Sequence, residues 1–205
     1  MTELKKTPLA ACHEKRGARM VDFSGWYMPV QYEGILTEHE HTRTAVSLFD
    51  CSHMGQFRLR GEQTGDALDA FLPRRAGSQK VGTCRYNFLL NDDGGVVDDI
   101  IVYRLADDEF MIVVNAGTQD GDADYIRARL PDAVAFANES AQTAKIDLQG
   151  PLALDVMAGL GFDRDALPRY FRAQQTELDG MPALLSRTGY TGECGFEFYV
   201  GAEYA

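Results

Sequence analysis

Tyr86-Asn87-Phe88-Leu89-Leu90, then Asn91-Asp92-Asp93-Gly94-Gly95, then Val96-Val97-Asp98-Asp99-Ile100-Ile101-Val102-Tyr103 is the stretch on which the fold turns. Two apolar runs flank a pentapeptide that contains an Asp-Gly pair, a strong hairpin signal. A second turn over Leu105 to Glu109 leads into Phe110 to Asn115, so an antiparallel meander is expected. The run after the first turn also carries two adjacent acids inside a strand that otherwise reads as buried. An ionised carboxylate taken out of water is costly unless something pairs with it. Alternation separates the two: Val97, Asp99, Ile101 and Tyr103 share one face, and Val96, Asp98, Ile100 and Val102 share the other. Asp98, next to Asp92, Asp93 and two glycines, is expected at the solvated start of the strand, accepting backbone N–H bonds from the turn. Asp99, flanked by Ile101 and Tyr103, is the acid expected to face a polar ligand in an apolar pocket.

Outward from the meander, Gly34 to Val46 reads as a helix with Ile35, Leu36, His39 and Thr42 to Arg43 at spacings of three to four. Met20 to Phe23 alternates ahead of a turn at Gly25-Trp26, and Leu48 to Asp50 is a short extended piece. Gly61 to Ala70 reads as a helix capped by Thr64 and Asp66 and ended at Pro73. After the meander a helix is expected with Thr118 and Asp120 as caps, Tyr125, Ile126, Ala128 and Leu130 inward, and Pro131 at its end. Ala144 to Gln149 reads as a strand, Gly150-Pro151 as a helix start, and Leu178 to Arg187 with Gly195 to Val200 as another hairpin. Strands cluster without a βαβ rhythm, so the expected class is α+β, antiparallel sheets with flanking helices.

The chain has 205 residues with 31 acids against 20 bases, a net charge of -11. No cluster of five or more basic residues occurs, which argues against a nucleic-acid surface. No apolar run approaches the roughly 18 residues of a membrane span. The N-terminus mixes charges of both signs without an apolar core, unlike a secretory signal or an Arg-rich transit peptide. Cys12, Cys51, Cys84 and Cys194 show no C-x-x-C spacing and fit reduced thiols in the cytoplasm. His39 and His41 lie two apart, which on a helix points them away from each other, and no cysteine completes a zinc set near them or His53, so no metal is expected. Cys51-Ser52-His53 lacks a G-x-S-x-G elbow. The glycines at 94, 95, 189, 192 and 195 form no G-x-G-x-x-G, so nucleotide phosphates are poorly catered for.

Gly189-Tyr190-Thr191-Gly192-Glu193-Cys194-Gly195-Phe196-Glu197 is more specific. Three glycines at intervals of three imply a tight loop that brings backbone close to something, offering Tyr190, Glu193 and Glu197. The alternative is a hairpin whose tip has no role. Glu197, between Phe196 and Phe198, repeats the pattern of an acid among apolar neighbours, and two such acids suggest one ligand. One carboxylate suits an N–H/NH2 edge like that of a guanidine-like heterocycle. The other could stabilise a developing cation or position an amine nucleophile.

Thr7-Pro8-Leu9, Gly17 to Trp26, and Leu48-Phe49-Asp50 with Ser52-His53-Met54-Gly55 resemble the N-terminal half of the glycine cleavage system T-protein family. The Gly94 to Tyr103 strand, Val113 to Ala116, Leu148 to Pro151 and Gly189 to Glu193 continue the match in order over the whole chain. The resemblance implies a tetrahydrofolate-dependent aminomethyltransferase. In it an aminomethyl group on the lipoyl arm of the H-protein is transferred, tetrahydrofolate accepts the carbon as a 5,10-methylene bridge, and ammonia leaves. It also implies that Asp99 is the important acid of the pair, near the reacting folate nitrogens. Glu197 would hold the pterin edge. Met54, Tyr86, Ile101, Tyr103, Val113, Asn115, Tyr170 and Tyr190 would line the folate pocket, while Glu193 is left as a loop residue.

The family is longer, with a further domain and folate-contacting arginines beyond residue 205, so the chain is expected to be a fragment holding two of three domains. Carried over, residues 1 to 52 and about 140 to 205 form part of the first domain and 53 to 139 the second. Three other readings compete. One is a folate module related to dimethylglycine or sarcosine oxidases, which carry a large flavin domain upstream. Another is a non-catalytic folate-binding protein of this fold, expected to lack the Gly-Tyr-Thr-Gly-Glu loop. The third is a truncated subunit inactive alone.

Overall fold

The turn between Leu90 and Val96 is closed by Asn91 and not by either aspartate. Asn91 Oδ1 accepts from Asp93 N at 3.1 Å and Gly95 N at 2.7 Å. Gly94 takes a φ of 81°, a conformation that favours glycine. This computed structural model describes residues 3–205. It divides into two units, one running up to His53 and resuming over Gln142–Tyr170 and Gln175–Ala205, the other Met54–Ala141 with Phe171–Gln174.

The first unit opens with β1 (Lys5–Lys6), α1 (Ala10–Lys15), β2 (Arg19–Phe23), β3 (Trp26–Gln31), α2 (Ile35–Thr44) and β4 (Ser47–Asp50). The second holds β5 (Gly55–Arg60), α3 (Thr64–Asp69), β6 (Thr83–Leu90), β7 (Val96–Ala106), β8 (Glu109–Val114), α4 (Gln119–Arg127) and β9 (Ala135–Asn138). The chain returns to the first with β10 (Thr143–Gln149) and α5 (Ala153–Gly159). After Phe171–Gln174 have rejoined the second unit, β11 (Ala173–Leu178), β12 (Met181–Ser186) and β13 (Gly195–Gly201) follow.

The sheet of the second unit has the order β6-β7-β8-β5-β9 and is antiparallel throughout. Phe57, Leu59, Leu89, Ile100, Val102, Phe110, Ile112 and Val114 build its core with Leu68 of α3 and Ala123 and Ile126 of α4. These strand positions alternate, as a sheet covered by helices on one face requires. In the first unit β1-β3-β2 form a small sheet, and a five-stranded sheet runs β11-β12-β13-β10-β4. Its core gathers Leu148, Leu185, Phe196 and Phe198 against Met157 of α5. The class is α+β.

Several local expectations are corrected. Ala128 lies past the end of α4 and is exposed, while Asp122 and Ala123 take the inward positions. Neither Thr64 nor Asp66 caps α3; Thr118 does occupy the N-cap of α4, but its hydroxyl makes no capping hydrogen bond and donates to Asp98, while Asp120 lies inside the helix. The Thr64 hydroxyl donates to Gly61 O at 2.7 Å instead. Pro151 precedes α5 by two residues. Ile35 and Leu36 of α2 are 59% and 83% exposed, and Thr42 is the buried residue of that helix. α2 starts at Gly34 without a Ser/Thr cap because Glu38 reaches back. Its Oε1 accepts from the backbone N–H groups of Tyr32, Glu33 and Gly34 at 2.7, 2.8 and 3.0 Å.

Candidate functional site

In the second unit, alternation separates the two adjacent acids as expected, but Asp98 is buried and not solvated. It shares the helix-covered face with Ile100 and Val102 and is 7% exposed. Burial is tolerated because donors surround it. Asp98 Oδ1 accepts from Asn115 Nδ2 at 2.8 Å, and Oδ2 accepts from Asn115 N at 3.1 Å and Thr118 Oγ1 at 3.0 Å. The expected turn amides go to Asn91 instead.

Asp99 emerges on the opposite face and is exposed, not enclosed among apolar groups. Its Oδ2 accepts from the Tyr86 hydroxyl at 2.9 Å and its Oδ1 from Asn115 Nδ2 at 3.0 Å. Register explains the cluster: Phe88 lies opposite Asp99, Tyr86 opposite Ile101, and Ile101 opposite Val113. Asn115, just past the end of β8, reaches both acids with one amide nitrogen. The hydrogen bond to Asp99 is the largest cause holding the Tyr86 phenol above its ordinary pKa, with burial and the charges of Asp99 and Asp98 adding to it. Tyr86 therefore stays a donor. Of the other expected residues here, Ile101 and Met54 are half-buried, whereas Tyr103 and Val113 are 0% and 3% exposed.

Asp122, in the first turn of α4, is 1% exposed, and neither of its carboxyl oxygens has a hydrogen-bond partner. Burial pushes its pKa to about 7, with the charge of Asp98 raising it further and Thr118 opposing.

In the first unit, Glu197 is 2% exposed and both of its oxygens already have donors. Oε1 accepts from Lys145 Nζ at 3.1 Å, and Oε2 from Thr188 Oγ1 at 2.6 Å and the Tyr199 hydroxyl at 2.9 Å. Lys145 Nζ also donates to Asp147 Oδ1 at 2.5 Å. Burial alone would raise Glu197, but the Lys145 ammonium and the hydrogen bonds from Thr188, Lys145 and Tyr199 pull it below its ordinary value. Burial and the Glu197 charge push Asp147 to about 6 against the pull of Lys145. Burial raises the Cys51 thiol to about 12, which leaves it inert as a nucleophile.

What the glycine-rich loop approaches is a side chain of its own unit. A Cβ at Gly189 or Gly195 would fall 2.4 or 2.0 Å from Gln149 side-chain atoms. Gln149 holds the loop by donating to Thr188 O and accepting from Thr191 Oγ1, both at 3.1 Å. Arg43 of α2 ties down the tip, donating to Thr191 O at 2.8 Å and pairing with Glu193 at 3.0 Å. A cleft of about 290 Å³ lined by Tyr170, Arg187, Thr188, Gly189, Glu193 and Cys194 adjoins the loop. Tyr190 is 79% exposed, its hydroxyl 3.9 Å from Cys51 Sγ. Of the histidines weighed as ligands, His53 packs against Phe23 and Trp26, and His41 faces Val46 O at 3.1 Å.

Thr118 reads in the sequence only as a helix cap, and Lys145, Asp147 and Asp122 are not singled out there. Lys145-Ile146-Asp147 does carry a signal, two charges on one face of a strand.

Comparison with protein families matches residues 9–205 to the GCVT N-terminal domain. The chain belongs to the GCVT N-terminal domain family. Among curated members with this domain, the aminomethyltransferase of Cutibacterium acnes is 42% identical, with 100% of this chain and 58% of the relative covered. That of Halalkalibacterium halodurans is 41% identical, covering 100% and 56%. The chain thus spans a little over half the length of the curated relatives it matches. The GCVT N-terminal domain seen here also superposes on the glycine cleavage system aminomethyltransferase T from Bartonella henselae. The TM-score is 0.91 at 37% identity, over 98% of this chain and 55% of that one. A chain of the heterotetrameric sarcosine oxidase from Corynebacterium sp. U-96 matches with a TM-score of 0.55 at 21% identity, a likeness of fold alone.

Proposed function

We propose that the chain carries the folate-facing carboxylate of an aminomethyltransferase of glycine cleavage. The reaction moves the aminomethyl carbon from the lipoyl arm of the H-protein to tetrahydrofolate. The observation that carries this reading is Asp99, an exposed carboxylate with each oxygen already fixed by a neutral donor, in a chain 42% identical to an aminomethyltransferase. Each oxygen keeps a second lone pair for a ligand. The aromatic and aliphatic side chains of Tyr86, Phe88 and Ile101 beside it suit one side of a flat heterocycle.

The carbon leaves the lipoyl sulfur and its amine and becomes bonded to both N5 and N10 of the folate. The two N–H protons given up go to ammonia and to the dihydrolipoyl thiol, so atoms balance without an oxidant. An iminium-like cation develops on the carbon as its first bond breaks. A carboxylate whose orientation is set beforehand stabilises that charge without reorganising. Tyr86 and Asn115 do the setting. The four cysteines are free thiols, in keeping with a proposed cytoplasmic location.

Tetrahydrofolate titration, with an assay on aminomethylated H-protein, tests the reading on the complete protein and on Asp99→Ala. Turnover is expected to fall while most binding remains.

A further inference from the structure

The acid pair on β7 is followed by a third acid that the reaction as described leaves unused. Asn115 Nδ2 has two hydrogens and three acceptors around it: Asp98 Oδ1 at 2.8 Å, Asp99 Oδ1 at 3.0 Å and Asp99 O at 3.2 Å. With carboxylate oxygens on both sides, only the NH2 end of the amide fits there. An amide turned end for end would set Oδ1 against two anions. Asp98 fixes that choice because it also grips the backbone N–H of the same residue at 3.1 Å.

Asp98 can do so only while it remains an acceptor. Asp122, buried in the first turn of α4, feels the charge of Asp98, but the donors around the two acids differ. Asp98 has three, from Asn115 N, Asn115 Nδ2 and Thr118 Oγ1, whereas Asp122 has none. A buried acid without donors is stable as the neutral carboxyl, and the upward shift of Asp122 agrees with that assignment.

We propose that Asp98 is a positioning residue for the aminomethyl transfer. It turns the Asn115 amide so that Nδ2 locks the Asp99 carboxylate. This rests on the reading of Asp99 as the folate-facing group. Asp98 touches no substrate; it acts through Asn115.

The test is a set of kinetic cycles on the complete protein with tetrahydrofolate and aminomethylated H-protein. Asp98→Asn keeps the volume but replaces the carboxylate that grips Asn115 Nδ2 and its backbone N–H with a neutral amide, so Asn115 is held towards Asp99 by Asp99 alone. The expected result is a kcat lowered about 30-fold with the KM for tetrahydrofolate within about threefold, since misplacing a catalytic group by a fraction of an ångström has effects of this order. In the Asp99→Ala background the same change should lower kcat no more than about twofold further, because nothing remains to position. Losses that multiply in the double variant, or a raised KM with kcat preserved, would overturn the proposal. If Asp98→Asn does not fold, Asn115→Ala, just past the end of β8, carries the same cycle with the same expected split and non-additivity. Should Asp99→Ala itself leave turnover intact, the functional reading fails. Should it be damaging while Asp98→Asn and Asn115→Ala are silent, only the positioning role fails.

Discussion

The Tyr86 hydroxyl donates to Asp99 Oδ2 at 2.9 Å across the β6–β7 hairpin. The two residues are a diagonal pair on one sheet face, because Tyr86 lies opposite Ile101 and Asp99 opposite Phe88. A diagonal neighbour is within reach of a long aromatic side chain. Tyr86→Phe removes this donor without a change of shape. A hydrogen bond to a charged group contributes about 1.5–3 kcal/mol at most, and Asn115 still holds Asp99. Turnover should fall about threefold to tenfold, with stability in urea nearly unchanged. Steady-state kinetics that match the parent would contradict the orienting role of Tyr86.

Asp122 makes stability depend on pH in a defined sense. Its folded pKa of about 7 lies above the ordinary 3.8. The native chain therefore keeps this proton while the unfolded chain loses it. The contribution of Asp122 is full below about pH 4 and is lost as pH rises to about 7. The groups that act on it are Asp98 of β7 and Thr118 beside α4. Asp122→Asn should be more stable than the parent by about 2 kcal/mol at pH 8, and the gain should shrink towards pH 4. Urea unfolding at both pH values checks this, and an equal difference at both would argue against a buried neutral carboxyl.

Lys145 neutralises two buried acids, Asp147 and Glu197, and its own side chain is 4% exposed. Removing one partner of such a network leaves charges uncompensated, at a cost of about 3–5 kcal/mol. Lys145→Met should lose that much stability near pH 8 and less near pH 5. Without the ammonium the acids' folded pKa values rise above their unfolded ones, so stability is lost as pH increases. A variant equally destabilised at both pH values would show that packing and not charge is at stake.

Gly195 lies directly opposite Gln149 in the β10–β13 pairing, and a Cβ there would sit 2.0 Å from Gln149 Oε1. Gly195→Ala should therefore cost about 1–3 kcal/mol by overpacking. Adding Gln149→Ala should restore at least half of the loss despite the hydrogen bonds it removes. Thermal unfolding of the single and double variants decides; additive losses would mean that the glycine serves something other than this close approach.

The meander was legible because its signals are local: period-two alternation on either side of an Asn-Asp-Asp-Gly-Gly turn, and strand lengths that match across it. That Asp99 takes the face opposite Asp98 was legible for the same reason. The burial of Asp98 was not, because the donors that make it tolerable come from Asn115 and Thr118, 17 and 20 residues further along. The start of α2 was placed correctly, although its cap is a glutamate reaching back and not a Ser or Thr in front. The exposure of Ile35 and Leu36 shows that apolar spacing alone does not say which helix face is covered. The glycine spacing implies a loop whose backbone comes close to something, and the neighbour it makes room for is Gln149, a pairing set by strand register. Lys145 and Asp147 were passed over because opposite charges two apart in a strand look like a solvated face until the partner strand supplies Glu197.

The most direct test of the central claim compares Asp99→Ala with the parent, measuring tetrahydrofolate affinity and aminomethyl transfer on the same preparations. If Asp99 stabilises the cation that forms during transfer, turnover falls by about 100-fold or more while affinity stays within about threefold. Undiminished turnover by Asp99→Ala, with the fold intact, would contradict the account.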